Sequence, residues 1–287
     1  MSVVMQQLRD ARLFVIAGPC VIESADLCLS IAAELKTTCD RLGLMYVFKA
    51  SFDKANRTSN ASFRGPGIDE GLDVLHRVQR DVGVPVLTDV HETEQAAIAG
   101  EVVDVLQVPA FLARQTDLLL ACGKTNRVVN IKKGQFMSPA EMGTAVEKVR
   151  STGNARVLLT ERGTFFGYNR LVNDFTGLAV MRAFKCPLVF DITHSTQQPA
   201  GQGTQSGGNP QYSPLLARAA VAAGVNGLFL ECHPDPRNAR SDAATMMDIR
   251  DVAALLEQVR QIAELRQGWD AGAETGMAKP EARIKPE

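Results

Sequence analysis

The stretch Leu13-Phe14-Val15-Ile16-Ala17-Gly18-Pro19-Cys20 sets the pattern of the whole chain. Five apolar residues run without alternation, stop at a Gly-Pro step, and leave one cysteine just beyond. A short continuous apolar run suits a strand covered on both faces, as in a parallel sheet. Seven more such runs follow, at 45–49, 85–89, 103–108, 128–131, 157–160, 188–192 and 227–231. Helical stripes separate nearly all of them. Residues 25–42 stop at Gly43, 69–82 at Gly83, 115–122 at Gly123 and 215–223 at Gly224. Ser138-Pro139-Ala140-Glu141 reads as a capping box with proline at the first helical position, and Ser213-Pro214 repeats that start. A last amphipathic helix is expected over 243–265.

Eight β–α alternations in 287 residues predict an α/β fold, a single (β/α)8 TIM barrel. A doubly wound sheet is the alternative. The barrel is preferred because Lys49, Asp89, Gln107, Lys132, Arg162, His194 and Glu231 all fall at or just past the C-terminal ends of their strands. A barrel gathers its chemistry on that face. The barrel is expected over 1–267, with 195–211, rich in Gly, Gln and Ser, as a lid loop. The polar segment 268–287 is expected to be a disordered tail.

Hydrophobic residues make up 45% of the chain and charged residues 22%, an ordinary balance for a soluble domain with a large core. The net charge of −1 argues against a nucleic-acid partner, so an anionic ligand has to be met by a local cluster of cations. No run approaches the ~20 apolar residues of a membrane span, and no signal-peptide pattern opens the chain; a cytoplasmic location is expected. The six cysteines form no CxxC pair and read as reduced thiols. Cys28 and Cys39 share a helical stripe with Ile31, Ala32, Leu35 and Leu42, as core residues do. Cys20 sits on no such stripe.

Cys20 follows the first strand, His194 ends the seventh, Glu231 ends the eighth, and Asp242 lies shortly after. Closing a barrel pairs strand eight with strand one, which makes these four neighbours at one mouth. A thiolate, an imidazole and two carboxylates suit a borderline divalent ion: zinc, iron or manganese. Of the other histidines, His76 lies on a helical stretch and His233 precedes Pro234 in a turn, and both read as structural. His91 stands open between a pocket and a structural role.

The second strand runs into Lys49-Ala50-Ser51-Phe52-Asp53-Lys54-Ala55-Asn56-Arg57-Thr58-Ser59. Its cations, amide and hydroxyls suit phosphate or carboxylate, and Lys132-Lys133 and Arg162 add positive charge from two further strand ends. That recurrence points to a pocket for more than one anionic group.

Several stretches resemble one family. KASFDKANRTS (49–59), TDVHE (88–92), QVPAFLARQTDLL (107–119), NIKKGQFMSP (130–139), ERGTFFGYNRLV (161–172), FDITHS (190–195) and ECHPDP (231–236) are similar to 3-deoxy-D-manno-octulosonate 8-phosphate synthases. The resemblance runs from Gly18 to Asp242 and implies condensation of phosphoenolpyruvate with D-arabinose 5-phosphate, for lipopolysaccharide synthesis. GPCVIES (18–24) resembles the metal-dependent group, which has Cys where the metal-independent group has Asn; His194, Glu231 and Asp242 match the remaining ligands.

By the same resemblance, Lys49, Ser51, Lys54, Lys132 and Arg162 hold phosphoenolpyruvate. Asn56, Arg57 and Thr58 hold arabinose 5-phosphate, and Gln107, Ala110 and Phe111 shape the pocket. Cys20, His194, Lys49, Asn56 and Asp242 are the residues expected to serve catalysis. The resemblance implies a homotetramer. In the lid, Gln198-Pro199-Ala200-Gly201 departs from the Leu-Pro-Gly-Gly of metal-dependent members. Two other functions stay open: the sibling synthase that uses erythrose 4-phosphate, and a non-catalytic barrel that binds a metal or a sugar phosphate.

Overall fold

A computed structural model describes residues 3–56, 62–199 and 207–273, and within the last segment the side chains only to Gln267. Helix α1 (Val3–Asp10) leads into β1 (Phe14–Gly18) and α2 (Ala25–Leu42). The chain then alternates through β2 (Met45–Lys49), α3 (Ile68–Val82), β3 (Val86–Asp89), α4 (Thr93–Val102), β4 (Val105–Val108) and α5 (Thr116–Lys124). It continues through β5 (Val128–Lys132), α6 (Met142–Arg150), β6 (Val157–Glu161), α7 (Thr176–Arg182), β7 (Leu188–Asp191), α8 (Ser213–Ala222), β8 (Gly227–His233) and α9 (Ile249–Ala273). All eight strands pair in parallel and in order, and β8 pairs back onto β1 with Gly18 opposite Glu231. This is the expected (β/α)8 barrel.

Two apolar layers build it. Between strands and helices lies the larger core, which takes in Cys28, Cys39, Cys122 and Cys232. Inside the barrel, Phe14, Ile16, Val47, Leu87, Val105, Val128, Leu158, Val189 and Phe229 fill the lumen, and Met5 and Leu8 of α1 plug its lower end. The strands read as continuous apolar runs because alternate side chains enter these two layers. No helix among the described residues is long and apolar enough to cross a membrane.

Several boundaries differ from expectation. Helix α6 begins at Met142, after a turn over 138–141, so the Ser-Pro start opens a turn rather than the helix. Half of the capping box still forms, as the Ser138 N–H donates to Glu141 Oε2 at 2.8 Å. Gly123 lies inside α5 instead of stopping it: a Cβ there would stand 2.5 Å from Thr152 Oγ1, so the glycine serves the approach of the segment after α6. Helix α9 starts at Ile249 and runs to Ala273, beyond the expected end and into the segment expected to be a tail. Gly268 alone is too small a penalty, about 1 kcal/mol, to stop a long helix. Residues 274–287 lie outside the described residues. His233 ends β8 instead of occupying a turn, with its Nδ1 accepting from the Asp235 N–H at 2.9 Å.

The connection expected as a lid opens with a short 3-10 turn (His194–Thr196). Gln197–Gln198 then pairs antiparallel with Gly207–Gly208. Arg162 Nη2 donates to Gln197 Oε1 at 2.6 Å, and Asn169 donates to the Pro199 carbonyl at 2.7 Å, so the base of this loop is tied to the β6 side of the rim. Its tip, residues 200–206, lies outside the described residues.

Candidate metal and anion site

The strand ends converge on a cavity of about 480 Å3 at the C-terminal mouth. Lys49, Lys54, Asn56, Gln107, Ala110, Phe111, Lys132, Arg162, His194, Glu231 and Asp242 line it, with Asp89 and His91. Cys20 and Ser51 lie beneath this lining, fully buried. Arg57 and Thr58 fall outside the described residues. Their neighbour Asn56 is exposed at the mouth.

Cys20 reaches the site because Gly18 lets β1 cross the end of β2; a Cβ on Gly18 would stand 2.1 Å from the Lys49 carbonyl. The ligand atoms of Cys20, Glu231 and Asp242 all lie within 4.8 Å of one another. His194 stands at the edge of this group, its Nε2 3.6 Å from Glu231 Oε2 and 3.8 Å from Asp242 Oδ2. Asp242 adopts φ 48°, a left-handed conformation that Asp tolerates better than most side chains.

The donor set fits a divalent ion. Glu231 is fully buried; its Oε1 accepts from Lys49 Nζ at 2.7 Å, while Oε2 has no hydrogen-bond partner among the described residues. An orphaned carboxylate oxygen facing an imidazole and a second carboxylate asks for a cation. Burial, with Asp242 and Glu231 alongside, raises the Cys20 thiol well above its usual pKa, so the protonated thiol donates to Asp242 Oδ2 at 2.9 Å. A bound dication reverses that balance by favouring the thiolate.

Asp191 orients the imidazole. Its Oδ2 lies 2.7 Å from His194 Nδ1 and accepts from Lys132 Nζ at 2.6 Å. Burial pushes the Asp191 carboxyl up, but His194 and Lys132 overcome it and hold it well below the carboxylate range. For His194, burial lowers the pKa, and Asp191 more than restores it. Burial lowers Lys132 despite Asp191, and it lowers Arg162.

Sequence reasoning missed three further groups. Asp89, noted only as a strand-end acid, accepts from Ser51 Oγ at 2.8 Å and lies 3.9 Å from Lys49 Nζ. Asp191 had no assigned role. Asn130 is buried in β5 and donates from Nδ2 to Gln107 Oε1 at 2.9 Å, while its own Oδ1 accepts from Thr160 at 2.7 Å. That chain fixes which end of the Gln107 amide faces the cavity: the NH2. A polar residue inside an apolar strand run was the available signal for Asn130. His91 faces the cavity, and its buried Nδ1 has no partner among the described residues. Lys133 is buried instead against Glu161, 3.6 Å away, and Thr164.

Fold and site together define a barrel whose rim gathers a donor set compatible with a divalent cation beside buried cations. Residues 5–267 match the family described as the DAHP synthetase I family. The chain is 56% identical over 247 residues to a 2-dehydro-3-deoxyphosphooctonate aldolase of Cyanothece sp., covering 86% of this chain and 90% of that one. It is 54% identical over 261 residues to the enzyme of the same name from Syntrophobacter fumaroxidans, with 91% of each covered. A third, from Koribacter versatilis, is 56% identical over 261 residues, covering 90% of this chain and 94% of that one. This chain belongs to the DAHP synthetase I family.

Proposed function

We propose that the chain condenses phosphoenolpyruvate and water with D-arabinose 5-phosphate to give 3-deoxy-D-manno-octulosonate 8-phosphate and phosphate, for lipopolysaccharide synthesis. It is an enzyme of the 3-deoxy-8-phosphooctulonate synthase kind, as the names of its relatives support. The observation that carries this reading is the buried cation set, Lys49, Lys54, Lys132 and Arg162, around one cavity, with Arg162 Nη1 lacking a partner among the described residues.

Lys132, Arg162, Lys54 and Ser51 hold the carboxylate and phosphate of phosphoenolpyruvate, with the Gln107 amide donating beside them. Asn56, Arg57 and Thr58 take the sugar phosphate at the open side. The cations offset the repulsion of two anionic substrates, so the methylene carbon is held against the aldehyde carbon. That carbon–carbon bond forms, water adds to the central carbon, and the carbon–oxygen bond to phosphate breaks. Ala110 and Phe111 form the wall of the reacting space.

Cys20, His194, Glu231 and Asp242 would hold the divalent ion. Zinc, iron and manganese all suit the set, and a bound ion supplies Lewis acidity towards the aldehyde or the water. Lys49 holds Glu231 and Asp89 in place by charge. The four buried cations face Asp89, Asp191, Glu231 and Asp242, and Arg240 adds a fifth Lys/Arg charge to the cavity lining. A bound ion would add to the positive charge that anionic substrates need. Exposed Phe111, Phe136, Phe166 and Tyr168 support a homotetramer, and six free cysteines support a cytoplasmic location.

The test is phosphate release from phosphoenolpyruvate, assayed with arabinose 5-phosphate and with erythrose 4-phosphate, each with and without chelator. Release that depends on arabinose 5-phosphate supports the reading. Preference for erythrose 4-phosphate favours the sibling synthase after which the family is named. No release with any aldose phosphate leaves a binding barrel.

A further inference from the structure

A second cavity, of about 590 Å3, opens at the opposite, N-terminal face of the barrel. Its walls come from the end of α1, the α7–β7 turn, the α8–β8 turn and Arg266 of α9. Among the described residues four cations line it, Arg9, Arg182, Lys185 and Arg266, and none of the lining residues is acidic. Two of the four have structural work. Arg182 Nη2 donates to the Ala223 and Gly224 carbonyls at 2.7 and 3.0 Å, and Arg266 Nη1 donates to those of Val221 and Val225 at 3.1 and 3.0 Å. Both thereby cap the exposed end of α8 and are held rigid.

Arg9 and Lys185 are different. Neither side chain makes a hydrogen bond or ion pair among the described residues. Lys185 also takes φ 56°, a left-handed conformation disfavoured for any residue with a Cβ, at the lip of the cavity. Gly224 makes room for the cluster, since a Cβ there would stand 2.4 Å from Arg182 Nη2. Arg9, Arg182 and Lys185 gather like charge in one concavity with no carboxylate among its described lining residues, which works against the folded state unless an anion joins them. Two fixed guanidiniums and two free cations form a partly organised receptor for phosphate oxygens.

We infer that this face carries a second ligand site, for a small phosphorylated molecule bearing two or more negative charges. The site is separate from the rim: it lies at the lower ends of β7 and β8, whose upper ends carry Asp191 and Glu231. Pro187, Ala222 and Ala223 supply a small apolar wall for the uncharged part of the ligand.

The probe is inorganic pyrophosphate, titrated calorimetrically into the full chain. Wild type is expected to bind one equivalent more than the Arg9→Ala/Lys185→Ala double variant, or to bind it about tenfold more tightly for each cation removed. Raising the ionic strength weakens that equivalent, and pyrophosphate raises the thermal midpoint of wild type more than that of the double variant. Both substituted side chains are exposed, so the variant should fold, with a midpoint without pyrophosphate at or above that of wild type because two repelling charges are gone. Arg9→Glu/Lys185→Glu is expected to abolish the site if alanine leaves a remnant. Superimposable isotherms for wild type and the charge-reversed variant overturn the inference. So does a single class of binding that is lost in Arg162→Ala, which would locate all of the binding at the rim.

Discussion

Asp191 Oδ2 lies 2.7 Å from His194 Nδ1, three residues along the same strand end, and so aims Nε2 at the buried Glu231 and half-buried Asp242 carboxylates. The same carboxylate oxygen holds Lys132. One side chain therefore serves both halves of the site, the imidazole towards the metal and the ammonium towards the anion.

Asp191→Asn should weaken metal affinity about 10- to 100-fold, the usual effect of losing a carboxylate behind a metal-bound imidazole. It should also raise the KM for phosphoenolpyruvate through Lys132. Competition titration against a chromogenic chelator measures the first effect and steady-state kinetics the second. Unchanged metal affinity would remove Asp191 from the orienting role.

Exhaustive chelation is expected to abolish activity, and zinc, iron or manganese to restore it. Cys20→Asn should keep measurable activity with less need of metal, because an amide fills the thiol's place without the deprotonation that a thiolate ligand requires. Full activity of the chelated wild type would sink the metal assignment. A folded, substrate-binding but inert Cys20→Asn would count against the second expectation.

Asn130→Asp should raise the KM for phosphoenolpyruvate several-fold with a smaller effect on kcat. The new carboxylate presents an acceptor to Gln107 Oε1 and turns the amide the wrong way. Asn130→Leu should do the same and also cost about 1–3 kcal/mol, since it leaves Thr160 and Gln107 without partners in the barrel interior. Urea denaturation alongside kinetics separates the two effects.

Burial raises Cys28, Cys39 and Cys122 to about 12 from 9.0. A disulfide reagent at pH 8 should label none of the three in the native protein and all of them in denaturant. The raised values also set the direction of the pH dependence. Above about pH 9 the unfolded thiols ionise while the folded ones stay protonated, so the unfolded state binds fewer protons and stability falls as pH rises. The loss reaches up to about 1.4 kcal/mol per pH unit for each thiol. A thermal midpoint that holds steady from pH 8.5 to 10.5 would contradict this.

The local signals were legible because they are local. Helix α2 matches its apolar stripe end for end, and Gly43 closes it at φ 64°, as a stop glycine should. Strand β2 likewise spans its apolar run. Gly123 misled for the complementary reason: its role is contact with Thr152, which no stretch of neighbouring residues records.

By itself the sequence determined the eight runs, the stripes between them and the polar residues at the strand ends, since apolar periodicity is written residue by residue. It also placed Cys20, His194, Glu231 and Asp242 at one mouth once barrel closure was assumed. Tertiary structure decided the pairings. Lys49 takes one oxygen of Glu231 across 182 positions and leaves the other for a cation, Asp191 serves two partners, and four cations meet at the far face. Those outcomes depend on where a closed sheet brings side chains that are remote in sequence, and no local pattern encodes which oxygen is left free.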